Sequence, residues 1–154
     1  MSSGGRPGAR QEPTGAHAAW QAPPWWDGLA AGAACFDEHE YWDAHEHWER
    51  EWKAHPALHR HYVKGLIQFA AALHHLARGR LTPARRLLDL GPTHLLANRP
   101  LTWPFDTGHL VAVASALARS IELGRTPRLP RLHLGRMMRA WAAERRAEAG
   151  GGGR

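Results

Sequence analysis

Residues 36–52 read Phe36-Asp-Glu-His-Glu-Tyr-Trp-Asp-Ala-His-Glu-His-Trp-Glu-Arg-Glu-Trp52, and this stretch decides the fold class. Its start carries helix-entry chemistry. Asp37 is suited to cap the first free amides, with Glu40 three residues on as its reciprocal partner. Phe36 and Tyr41 flank the cap at the positions of a hydrophobic staple. The helix is expected to run to about Lys53 and to stop before Pro56. Glu38, Trp42, His45, Glu49 and Trp52 follow one another at spacings of 4, 3, 4 and 3, which places them along one helical face. Two tryptophans on that stripe predict that it faces the core. His45 and Glu49 would then be buried, and an ionised carboxylate there needs a partner.

The neighbouring segments are helical too, and nothing alternates with period two for long enough to make a strand. A short first helix is expected over Pro24 to about Ala31, stopping near Gly32. A third runs from about Ala57 to Ala77, with Val63, Leu66, Ile67, Ala70 and Leu73 inward and Gly79 as its stop. Thr82 and Pro83 read as the start of a fourth helix, which Gly91-Pro92 should kink or split. Asp106 caps a fifth that ends at Gly124. A last amphipathic stretch spans about Leu132 to Glu148. The expectation is an all-α, compact antiparallel bundle of five to six helices. It occupies residues 23–123, between a disordered tail (1–22) and an Arg-rich extension (124–154) carrying the last helix.

Eight of the 12 histidines lie between His39 and His75. His74 continues the inward line of the third helix. Antiparallel pairing of the second and third helices would bring His45, Glu49 and His74 together, with Glu46 at the edge. Two imidazoles and one or two carboxylates suit Zn²⁺, Mn²⁺ or Fe²⁺. Glu46 would then be the candidate catalytic base of a metal-dependent hydrolase. The competing reading is a His–Glu hydrogen-bond network that only fixes helix register. His-Glu-His-Trp-Glu (45–49) is not the zincin pattern, because position 49 is Glu.

The run from Phe36 to Trp52, with its His-Glu-x-x-Glu-x-x-Trp element, resembles the family called domain of unknown function 309. The likeness continues through Lys64-Gly-Leu-Ile-Gln-Phe-Ala-Ala-Ala-Leu-His-His75 and Arg78-Gly-Arg-Leu-Thr-Pro-Ala-Arg-Arg-Leu-Leu88. It ends near Trp103-Pro-Phe-Asp106, covering about residues 25–123. By position, the motif residues are His45, Glu46, Glu49 and Trp52, then Gly65, Gln68 and His74. The resemblance implies an all-helical cytosolic protein of prokaryotic type and carries no established activity.

The 154 residues bear a formal charge of +6, from 18 Arg and two Lys against 14 acids. Residues 37–51 hold seven of those acids, whereas the segment from Gly124 on is basic. The C-terminal arginines could meet phosphate, which makes nucleic-acid association a second alternative, but no aromatic residues interleave with them and composition argues against that partner. Mean hydropathy is −0.49 and no apolar run approaches the roughly 20 residues of a spanning helix. The start has no apolar core of a secretory signal, so a cytoplasmic protein is expected. Cys35 stands alone, which excludes disulfide frameworks and multi-cysteine metal motifs. The leading functional expectation is a structural or protein-interaction module, with a protein partner or a second copy. Any of the eight tryptophans left exposed, Trp25, Trp26 or Trp103 above all, would mark the interface.

Overall fold

The computed structural model describes residues 19–56 and 58–151; most of the expected N-terminal tail lies outside them. Among the described residues there are six helices and no strand: α1 (Trp26–Asp37), α2 (Tyr41–Ala54), α3 (Arg60–Ala77), α4 (Leu81–Ala97), α5 (Thr107–Glu122) and α6 (Leu134–Gly150). Each of the first four packs on the next, and α6 returns to α1. The pairings are antiparallel. Trp52 at the end of α2 meets Arg60 at the start of α3, and Trp42 at the start of α2 meets His74 near the end of α3. No helix among these is long and apolar enough to cross a membrane.

The first helix does not stop at Gly32. It runs five residues further, to Asp37, because Gly32 is a packing position and not a terminator. Trp48 lies against it, fully buried, and its indole donates to the Leu29 carbonyl at 3.0 Å. A Cβ on residue 32 would fall 2.2 Å from Trp48 Nε1. Burial of a tryptophan outweighs the roughly 1 kcal/mol that a helical glycine forfeits.

Asp37 is the second correction. It ends α1 instead of capping α2, which starts at Tyr41 after Glu40 with no side-chain cap. Its carboxylate accepts from the backbone amides of Leu134 at 2.8 Å and Gly135 at 2.9 Å, the first two residues of α6. The aspartate therefore caps a helix 97 positions away, where a negative charge also suits the dipole. The Phe36–Tyr41 contact of the expected staple does form, edge to face at 5.0 Å.

Gly91-Pro92 neither splits α4 nor ends it; both residues are buried inside one helix. At this point α4 crosses α3 so closely that a Cβ on Gly65 would lie 2.9 Å from the Gly91 carbonyl oxygen. That contact, with Leu95 packed beside it, offsets the local cost of the proline. Farther along, Arg85 joins Asp89 and Glu122, tying α4 to α5. Asp106 caps α5 as the sequence suggests, accepting from the His109 amide at 3.1 Å. Leu132, Leu134 and Met138 of the C-terminal segment belong to the same buried cluster as Phe36, Trp48 and Leu73.

Two substitutions test this account. Gly32→Ala forces Trp48 from its slot and is expected to cost about 1–3 kcal/mol, read as a lowered urea midpoint; unchanged stability would contradict the close contact. Asp37→Ala is expected to cost about 1 kcal/mol, with faster amide hydrogen exchange at the start of α6. Faster exchange at the start of α2 alone would instead restore Asp37 as the cap of α2.

Candidate groove between α2 and α3

The inward residues of α2 are Tyr41, Ala44 and Trp48, not the stripe of Trp42, His45, Glu49 and Trp52. The two stripes are one residue apart, about 100° of rotation. Both carry large aromatics, and the Trp48 bond to Leu29 selects the first. The second stripe turns into the open groove along α3. Trp42 keeps 48% of its surface exposed, Glu38 is exposed, and His45, Glu49 and Trp52 are half-buried. Glu49 therefore does not face the core, and water meets much of its charge.

His45 and Glu49 remain neighbours. Nδ1 of His45 lies 3.7 Å from Glu49 Oε2, too long for a hydrogen bond, and that nitrogen is buried without a hydrogen-bond partner. Lys53 Nζ sits 3.1 Å from the other carboxylate oxygen. His74 does not complete the expected ligand set. The Trp42 ring stacks on His45 at 4.7 Å and leans on His74 at 5.2 Å, so an indole contacts both rings where a metal ion was anticipated. Among the described residues no group of three or more His, Cys, Asp or Glu is arranged to hold a metal. Glu46, the candidate base, is exposed and accepts a hydrogen bond from Trp42 Nε1 at 3.1 Å. It positions the indole.

The other motif residues hold the groove's walls. Trp52 Nε1 donates to the Arg60 carbonyl at 2.9 Å, and the Arg60 guanidinium covers the Trp52 ring at 4.1 Å. Gln68 Oε1 pairs with His94 Nδ1 and ties α3 to α4. Gly65 makes the helix crossing already described. The groove has two depressions. One, of about 190 Å³, is lined by His45, Glu49, Trp52, Lys64, Ile67 and Gln68. The other, of about 580 Å³, is lined by Trp42, His74, His75, Arg78 and Arg80.

Sequence reasoning missed His75, Arg78 and Arg80. They lie across the α3–α4 turn and approach Trp42 only through antiparallel pairing; the sole local signal was Arg-Gly-Arg directly after a helix end. The larger depression is cationic. Partial burial holds His74 below the ordinary imidazole range, and Arg78, His75, Arg80 and His45 add to the effect. Burial and Arg80 do the same to His75.

Trp25, Trp26 and Trp103, whose exposure would have marked an interface, are half-buried among tryptophans: Trp25 stacks on Trp103 at 5.4 Å and Trp26 on Trp141 at 5.6 Å. The fold does bring aromatics to the C-terminal arginines, with Arg145 over Trp141 at 4.9 Å and Arg146 over Trp20 at 5.2 Å. Trp20, Trp26 and Trp141 contact one another, so these rings serve the docking of α6 on α1.

Residues 29–87 match a family model described as Domain of unknown function (DUF309). The match is shorter than the likeness read from the motifs, running from α1 into α4, and it contains every lining residue of both depressions. No curated protein and no solved structure matches the chain.

The lowered histidines give a signed pH prediction. The unfolded chain binds their protons near the ordinary imidazole pKa of about 6.5, and the folded state binds them only at lower pH. Their contribution to stability is full above that value and is lost as pH falls through it toward the folded pKa. A His74→Gln/His75→Gln variant should therefore show a flatter fall in melting temperature between about pH 7.5 and 5.5 than the parent chain. Parallel curves would contradict the lowered pKa values.

Proposed function

We propose that this domain is a protein-interaction module whose α2–α3 groove receives an acidic segment of a partner protein. The observation that carries the reading is Trp42, a large aromatic with half its surface exposed in a groove wall whose other members are cationic or imidazole side chains. Tryptophans so placed dominate binding energy once a partner excludes water from them. Arg78, Arg80 and Lys64 make no ion pair among the described residues, so their charge is free to steer an acidic ligand. The smaller depression adds Ile67 and the edge of Trp52 as an apolar seat farther along the same groove. An extended segment can reach both.

Selection of displayed random dodecapeptides on the purified chain tests this. Enriched peptides should be rich in Asp and Glu, and their binding should weaken with salt. Trp42→Ala, which removes a half-exposed side chain and leaves the core untouched, should weaken them by at least about tenfold. Enrichment of peptides without acidic residues, or equal binding to Trp42→Ala, would overturn the proposal.

A further inference from the structure

We infer that the larger depression, the cup of Trp42, His74, His75, Arg78 and Arg80, is built for a phosphoryl group carried on the partner segment. The inference rests on the groove reading above and specifies its occupant.

The charge placement is the first argument. His74, His75 and Arg78 sit at the C-terminal end of α3, where positive charge complements the helix dipole and needs no ligand. Arg80 does not share that explanation. It is the residue that opens α4, at the positive end of that helix's dipole, where another positive charge is unfavourable. No side chain caps this end of α4. An anion would relieve both conditions, since free amides and a positive dipole end favour an oxyanion. Gly79, at φ +71 between the two helices, lets the chain turn tightly enough to place both arginines on one cup.

The donor set is the second argument. No carboxylate lines the cup; the nearest charged partner of its aromatic wall is Glu46, held at the Trp42 indole nitrogen. Two guanidinium groups and two imidazoles offer more charge and more donors than one carboxylate can meet. A phosphorylated serine or threonine carries nearly two charges and three acceptor oxygens, and guanidinium groups bind such groups in paired hydrogen bonds. The His75 Nδ1 atom is buried with no hydrogen-bond partner. The charged or titratable groups that act on His74 are Arg78, His75, Arg80 and His45, none of them a carboxylate. The smaller depression on the far side of the stacked Trp42–His45 pair favours a phosphorylated chain segment over a free phosphate, because it gives flanking residues a seat.

The test uses fluorescein-labelled degenerate dodecapeptide pools with a fixed central phosphoserine, serine or glutamate, read by fluorescence anisotropy on the full chain. The phosphoserine pool should bind at least about tenfold tighter than either other pool. Arg78→Ala/Arg80→Ala should remove that preference, with circular dichroism confirming an intact helical fold. Inorganic phosphate should displace the pool only at much higher concentration. Equal binding of the glutamate and phosphoserine pools would overturn the phosphoryl inference and leave the acidic-groove reading standing. Failure of all three pools would overturn both. Inorganic phosphate competing as well as the peptides would overturn the partner-borne source. A preference that survives loss of both arginines would overturn the assignment to this cup.

Discussion

The indole of Trp48, bonded to the Leu29 carbonyl in the space left by Gly32, fixes how α2 is rotated about its own axis. Everything about the groove depends on that rotation. A helix has only one inward face, and α2 carries two aromatic stripes that compete for it. Tyr41, Ala44 and Trp48 win because Trp48 satisfies its own N–H while burying its ring against Phe36 and Phe105. A buried tryptophan with an unmet donor would lose much of that advantage. The losing stripe cannot be buried elsewhere, so Trp42 stays half open beside His45 and His74. The exposed aromatic is thus a geometric consequence of the core.

A second set of constraints acts at long range. Gly65 and Gly91 bring α3 and α4 close enough to pair Gln68 with His94, which stiffens the wall of the smaller depression. Asp37 holds the first turn of α6 from the end of α1. In each case a residue that local rules would assign to its own segment serves a different one. Gly32 reads as a helix stop, Asp37 as the cap of the next helix and Gly91-Pro92 as a break. The packed protein uses all three for contacts between elements.

That pattern explains what was legible. Helix count and type, the Asp106 cap and the stop after α3 come from short-range chemistry, which a sequence displays. The His-Glu-x-x-Glu-x-x-Trp motif also displays its residues plainly; His45, Glu49, Trp52 and Gln68 line the smaller depression and Glu46 accepts from the Trp42 indole. The error was one of phase. Neighbouring stripes on α2 differ by a single residue, and their aromatic content is nearly the same. Choosing between them requires knowing that the Leu29 carbonyl can accept from an indole and that Gly32 leaves room for its ring. The convergence of His45, Glu49 and His74 failed for that reason, because it presumed the wrong face inward. Arg78 and Arg80 were invisible to the same reasoning because no periodicity connects a turn to a helix that pairs with it.

The electrostatics of the groove follow from helix ends as much as from side chains. The end of α3 attracts cations to its last carbonyls, and the start of α4 offers amides with no capping side chain. A three-residue connection, Arg78 to Arg80, sets these opposite ends side by side. A neutral or acidic residue at position 80 would have suited the start of α4, yet arginine stands there. Among the described residues it makes no ion pair, and its charge adds to the burial that holds His74 and His75 below the ordinary imidazole range. An electropositive cup against a half-open indole is a poor arrangement for an isolated domain. It becomes a favourable one when an anionic group supplies the charge that both the arginines and the helix start lack.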